Sequence, residues 1–480
     1  MDNKNSFFPA FHRQLFGSKP ISRRERLARQ ARAADSLCLG QLEVLFGEVL
    51  PLWLRSYQSA EGSNSRRCSY TVLVTFWGFL SQVLDPDGSC RRAVTRIQTL
   101  CSALHLPLPK DDTAAYCIAR ARLPIRVLVR VSRGIIGRLT GGSPGGRRLV
   151  VMDGTSITLP ERPKNAAAYS YAPGQRPGCG FPVMSLLGLF DLASGTWLAL
   201  TKSKSKAHDA RLAWRLLKHL KAGDILLADR AFCSYAFIAT CQARGVDVVM
   251  RLHQRRDPQL NQGRRLSPQD WRVTWIRPVQ CPKGGSQQAH AALPSTLEMR
   301  LVHVQSQHPG YRTRELHLVT TLLPSDLYSA GQIAAWYLRR WQIELFFDDL
   351  KTSLGMETLR CKSPHLVARE LLMHMIAYNL VRHLMGRAEP LRPLAARHTL
   401  SFKGTLDRLD QWQWAIWAAP SVRQGRIRCE DMLCCIAHDP VPRRPGRKQP
   451  RGLKRRVKSY TLMCKPRYLY TAADDLAHAA

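Results

Sequence analysis

Acidic residues are scarce in this chain. Asp and Glu number 35 against 72 Lys and Arg in 480 residues, a formal net charge of +37. An enzyme of small acidic substrates has no need of positive charge along its whole length. A polyanion is the partner that rewards it, because neutralising phosphates releases condensed counterions. Long apolar runs are also missing. The best stretch, Val183 to Leu200, is broken by Asp191, Gly188 and Gly195, whereas a membrane-spanning helix needs about 18 or more apolar residues. No basic segment followed by an apolar one opens the chain, so no signal peptide is expected and the protein reads as cytoplasmic, with no membrane partner. Paired Cys-x-x-Cys spacing is absent as well. The 14 cysteines are scattered, with Cys429, Cys434 and Cys435 the nearest cluster. They read as reduced, mostly buried small hydrophobes rather than zinc ligands. No internal repeat or long low-complexity segment is found. What is present is a 45 % hydrophobic fraction, enough for a folded core and too much for a disordered chain.

The organisation is a helical region, a mixed α/β region and a second helical region. Residues 1–145 read as helical, with a basic stretch at Arg23 to Arg32 and apolar helices around Leu37 to Leu54 and Tyr70 to Leu84. Gly141 to Gly146 is turn-rich and marks a boundary. Residues 146–251 alternate. Arg148 to Met152 is a β-branched run expected to end at Asp153. Val183 to Phe190, Thr196 to Thr201, Asp224 to Ala228 and Val246 to Met250 read as further strands, with helices at Asp209 to Leu220 and Tyr235 to Ala243. That order describes a mixed α/β sheet. Residues 252–325 read as a β-rich insertion, 326–386 as a second helical part of the core, and 387–480 as a C-terminal region with a basic tail at Arg443 to Arg456. Both basic runs are expected to contact DNA backbone. The apolar segment His365 to Met385 fits either the core or a dimer interface.

One segment carries unusual chemistry: Trp336 to Lys351. On a regular helix at about 100° per residue, Tyr337, Arg340, Glu344 and Lys351 share an arc of roughly 60°, and Ile343, Phe346, Phe347, Leu350 and Leu354 form an adjoining apolar arc. A solvated i,i+4 pair between Arg340 and Glu344 is the plain alternative. Two acids, Asp153 and Asp229, follow strand-like runs, where adjacent strand ends converge on one crevice. With Glu344 they would make three hard oxygen donors, a set suited to Mg²⁺ or Mn²⁺. Two such ions activate an attacking oxygen and stabilise a leaving one in phosphodiester displacement.

Asp153-Gly-Thr, Ala228-Asp-Arg230 and the Tyr337, Arg340, Glu344, Lys351 spacing resemble the DDE transposases of bacterial insertion sequences, insertion-sequence family four in particular. The resemblance covers about residues 145–385. It implies a ribonuclease H-like core in which Asp153 ends the first strand, Asp229 ends the fourth and Glu344 lies on a late helix. The separations of 76 and 115 residues leave room for the β-rich insertion between the second and third acids. It implies catalysis and metal binding by Asp153, Asp229 and Glu344 with two Mg²⁺ ions, and phosphate contacts from Arg230, Tyr337, Arg340 and Lys351. It further implies cleavage at terminal inverted repeats, strand transfer of the 3′-OH ends into target DNA with or without a hairpin, and a homodimer on paired ends in a bacterial nucleoid. Trp271 and Trp275 could hold a flipped base, although core burial is the simpler role. His208-Asp209 reads as a helix start. A hydrolysis-only nuclease and a catalytically dead DNA-binding derivative are the competing readings.

Overall fold

In the computed structural model, residues 23–441 are described, except 55–56, 58–68, 141–145, 172–178, 205–208, 255, 257–262, 282–286, 306–314 and 393–398, together with Lys465 and Leu469. His208 and the basic tail Arg443 to Arg456 lie outside the described residues.

Among the described residues, five helices come first: α1 (Arg23–Phe46), α2 (Val72–Leu84), α3 (Cys90–Ala103), α4 (Ala114–Arg122) and α5 (Ile125–Leu139). Short hydroxyl side chains start several helices of the chain. Thr71 accepts from the Val74 N–H at 3.0 Å and Ser89 from the Arg92 N–H at 3.2 Å, satisfying donors that the first helical turn leaves unpaired. Arg26, Arg29 and Arg32 are exposed at three-residue intervals on α1, so they form one positive stripe.

The sheet region runs β1 (Leu149–Thr158), α6 (Pro163–Ala168), β2 (Ser170–Tyr171), β3 (Pro182–Asp191), β4 (Trp197–Lys204), α7 (Asp209–Leu216), β5 (Ile225–Ala228), α8 (Tyr235–Ala243) and β6 (Asp247–Arg251). Then follow β7 (Arg264–Ser267), β8 (Asp270–Ile276), α9 (Gln287–Ala291), β9 (Thr296–Gln305) and β10 (Glu315–Thr320). The ten strands among the described residues form one sheet. Its order is β2-β3-β1-β5-β6-β10-β9-β8-β7, with β4 paired to β3. The strands β1, β5 and β6 are mutually parallel, and β3 runs antiparallel to β1.

Two expectations change here. The first strand does not end at Asp153 but continues to Thr158, because β3 pairs with it along that whole length. Only the parallel partner β5 stops, at Ala228. The segment 252–325 is rich in strands, yet it does not fold apart from the sheet. β10 pairs antiparallel with β6, so these strands prolong the main sheet from an edge that would otherwise expose unpaired backbone groups.

The last helices are α10 (Ala330–Arg339), α11 (Gln342–Asp348), α12 (Pro364–Ala388), α13 (Phe402–Trp417) and α14 (Val422–Ala437). The long helix α12 is buried on two sides. Met373, Ile376, Ala377, Leu380 and Leu384 pack into the helical core formed by α1 to α5, α13 and α14. Leu371, Met375, Tyr378 and Val381 pack into the sheet core. A helix apolar on most of its circumference belongs inside, and α12 is a core helix. Asn379, fully buried, fixes it to β4. Its Oδ1 accepts from the Trp197 N–H at 2.8 Å and its Nδ2 donates to the Trp197 carbonyl at 3.0 Å. Among the described residues, no helix is long and apolar enough to cross a membrane.

Candidate active site

Strand alternation aims the two aspartates. Side chains along a strand alternate between its faces. On β1, Val151 and Ile157 enter the core beneath α10 to α12, while Val150 and Met152 enter the opposite core against α7 and α8. Asp153 has the parity of Val151. On β5, Ile225 and Leu227 share that first face, and Asp229, extended in the residue after the strand, continues their parity. Register sets their height: Met152 lies beside Ala228, and Ala228 beside Met250. One residue further on, Asp153, Asp229 and Arg251 stand at one level across three adjacent parallel strands.

Each aspartate is anchored by a backbone amide. Asp153 Oδ1 accepts from the Gly154 N–H at 2.8 Å, and Asp229 Oδ1 accepts from the Arg230 N–H at 2.7 Å. Arg340 Nη1 donates to Asp153 Oδ2 at 3.0 Å from a side chain that is itself buried. Burial pushes the Asp153 carboxyl above its ordinary range. The Gly154 amide and Arg340 pull it down, and the neighbouring charge of Asp229 raises it. Tyr337 is buried beside the same group, and burial pushes its phenol up to about 12, so it is a hydrogen-bonding hydroxyl at neutral pH and not a phenolate.

Opposite Asp153, the strand pair places Gly188. A Cβ there would stand 2.8 Å from the Phe190 ring and 3.5 Å from Phe347. The missing side chain lets α11 lie close over the sheet beside Asp153.

The helical segment departs from its expected form. It does not run unbroken from Ala330 to Leu354. α10 ends at Arg339, α11 begins at Gln342, and Asp349–Ser353 is a π-helical turn. Around the break, Arg340 N–H bonds to Tyr337 O, Ile343 N–H to Arg340 O and Glu344 N–H to Trp341 O. These tight i to i−3 bonds replace the regular 3.6-residue period, so the single arc of four residues does not exist. The apolar side does dock as expected: Ile343, Phe346, Phe347, Leu350 and Leu354 are all buried against the sheet. Tyr337 and Arg340 face Asp153 and Asp229. Glu344 is exposed in the first turn of α11, and Lys351 Nζ pairs with Glu357 Oε2 at 2.9 Å. Arg230 Nη1 donates to Gln254 Oε1 at 2.8 Å. Among the described residues, no three His, Cys, Asp or Glu side chains gather closely enough to hold a metal ion. In place of the expected convergence of three acids stand two acids level on the sheet, Asp153 bonded to Arg340, with the third exposed in the first turn of α11.

Trp275 is buried in the sheet core with Arg256 stacked on it at 3.9 Å, and Trp271 is packed against the same core. Asp209 opens α7.

A family model described as a transposase DDE domain matches residues 144–380. The transposase InsG of insertion sequence element IS4 from Escherichia coli K12 is 25 % identical over 330 residues, 67 % of this chain and 71 % of that protein. Residues 144–380 carry a transposase DDE domain, and the similarity to the IS4 transposase extends over two thirds of the chain. A putative transposase, InsL of IS186A from the same organism, is 38 % identical over 79 residues, 16 % of this chain and 21 % of that protein. A solved piggyBac transposase synaptic complex with hairpin DNA superposes with a TM-score of 0.40 at 12 % identity, over 82 % of this chain and 85 % of that chain, too slight a likeness to carry an argument. This transposase is therefore an enzyme of DNA cleavage and strand transfer.

One residue at the site level of the transposase escapes a reading of the sequence alone. Arg251 is the third member of the row, and its charge reaches Tyr337. The available signal was parity: Arg251 follows Val249, which faces the same core.

Proposed function

We propose that Asp153, Asp229 and Glu344 are the acids of this transposase, that they hold divalent metal, and that the sheet around them is a ribonuclease H-like core. The level placement of Asp153 and Asp229 on one sheet face carries the reading. Asp153 lies on β1 and Asp229 follows β5, the first and fourth strands in chain order once the two-residue β2 is set aside, in the positions that such a core assigns to its acids. The pair fits a divalent cation. Both are hard oxygen donors, and the charge of one raises the carboxyl pKa of the other, a repulsion that a shared cation relieves. Bound there, Mg²⁺ or Mn²⁺, two ions in the full site, would polarise the scissile phosphoryl oxygen and stabilise the attacking and leaving oxygens.

The remaining work falls to the side chains. Arg340 and Arg251 offer fixed positive charge where a phosphate must approach two carboxylates, and Arg230 and Lys351 lie on the elements around them. Tyr337 keeps its proton and donates a hydrogen bond. The exposed Glu344 completes the acid set when α11 meets DNA. Terminal inverted repeats and target DNA are the double-stranded substrates, a homodimer pairs the two ends, and the stripe Arg26, Arg29, Arg32 binds backbone.

The Glu344→Gln variant tests the assignment that depends least on the resting geometry. Because Glu344 is exposed and Arg340 pairs with Asp153 instead, the variant's melting temperature should match the parent's. Mg²⁺-dependent cleavage of a DNA end should fall by about 10²-fold or more, at roughly 3 kcal/mol of lost transition-state stabilisation. Parental cleavage by the variant would remove Glu344 from the site.

A further inference from the structure

We propose that Cys90 and Cys117 are a peroxide-sensitive dithiol that closes to a disulfide between α3 and α4. The two sulfurs are 4.0 Å apart, and the Cys117 S–H donates to Cys90 Sγ. Cys117 is exposed and Cys90 partly so, so an oxidant reaches the pair from solvent. Cys90 is the first residue of α3, directly after the capping Ser89, where the helix N-terminus favours negative charge. Its sulfur accepts two further bonds, from Gln82 Nε2 at 3.6 Å and Arg120 Nη1 at 3.4 Å. The Cys117 bond first, then the Arg120 charge and the Gln82 amide, lower the Cys90 thiol pKa against the opposing effect of burial, while Cys117 is held above its ordinary range. A stabilised thiolate with a second thiol beside it is the arrangement of an attacking and a resolving cysteine.

The chemistry balances with hydrogen peroxide as oxidant. The Cys90 thiolate attacks one peroxide oxygen, an S–O bond forms and the O–O bond breaks. The hydroxide released takes up a proton and leaves as water. The Cys117 sulfur then attacks the Cys90 sulfenic sulfur; the S–S bond forms, the S–O bond breaks, and the second water leaves with the Cys117 proton. Two thiols lose two electrons and one peroxide becomes two waters.

The pair also touches a seam of the fold. Arg120 is buried, stacks on Phe79 at 3.9 Å, and donates to Gln82 Oε1 at 3.2 Å and to Cys361 Sγ at 3.1 Å. Cys361 lies between the π-helical turn and α12. Oxidation removes the anionic partner of this guanidinium, which links α4 to the segment following the acid-bearing helix.

Reduced full-length protein, treated with graded hydrogen peroxide, blocked with iodoacetamide and mapped by mass spectrometry without reductant, tests the pair. A Cys90–Cys117 linked peptide should appear at roughly tenfold lower peroxide than oxidation of the exposed Cys434, and dithiothreitol should reverse it. In Cys117→Ser, dimedone should instead trap a sulfenic acid at Cys90. Recovery of Cys90 and Cys117 as separate alkylated peptides at doses that oxidise Cys434 overturns the proposal, and this arm needs only the unsubstituted protein.

Discussion

The Asp153→Asn substitution is expected to abolish cleavage while DNA binding stays near the parental level. Asn keeps the shape and can still accept from the Gly154 amide, the bond that anchors Asp153 at 2.8 Å. It loses the charge that a divalent ion requires. Losing a Lewis-acid contact worth about 4 kcal/mol in the transition state slows the reaction roughly 10³-fold. Binding rests on distributed positive charge, +37 over the chain, and removing one carboxylate from a basic cleft does not weaken it. A gel-shift titration beside a single-turnover cleavage assay separates the two quantities. Loss of both together would make Asp153 a structural residue whose pairing with Arg340 maintains the fold. Cleavage at the parental rate would remove it from the chemistry.

The largest stability effect is expected at Arg300, far from the aspartates. Arg300 is fully buried on β9 and forms a two-pronged ion pair with the buried Asp270 of β8. It also donates to the carbonyls of Leu322 and Tyr328 at 2.9 and 2.8 Å. Those carbonyls belong to the connection leading into α10, the helix that carries Tyr337. Arg300→Met leaves a buried carboxylate uncompensated and two carbonyls unpaired, at a cost of about 3–5 kcal/mol. Chemical denaturation should show that loss. The double variant Arg300→Met with Asp270→Leu should recover part of it, because the stranded charge is gone. A single variant within about 0.5 kcal/mol of the parent would show that this pair is not the tie between the added strands and the helical segment.

The strands with continuous apolar runs were legible because burial on both faces leaves no polar alternation: Ile225 to Ala228 is an example, and Asp229 after it could be singled out from sequence. The extent of β1 was not legible. The strand was expected to end at Asp153, and only the pairing with β3, a long-range event, carries it on through Gly154 and Thr155. Joining of β10 to β6 was hidden for the same reason. The break after Arg339 carries no Gly or Pro. Nothing local announces it, so a regular helical period gave the right buried face for Phe346 and Phe347 and the wrong common arc for Glu344 and Lys351. Arg340 was singled out as a phosphate ligand, yet its partner in this structure is Asp153. The Cys90, Cys117 and Arg120 cluster was illegible because Cys90 starts α3 while Cys117 and Arg120 lie on α4, and the two cysteines lack metal-like spacing.

The central claim is that this chain cuts DNA through metal held by Asp153, Asp229 and Glu344. The most direct measurement incubates the purified protein with the DNA flanking its gene, with Mg²⁺ or with a chelator, and resolves the strands on a denaturing gel. The account predicts discrete cuts at the element ends with Mg²⁺, none with chelator, and none from the Asp153→Asn, Asp229→Asn double variant. Equal cutting by the double variant, or cutting that persists in chelator, would contradict it.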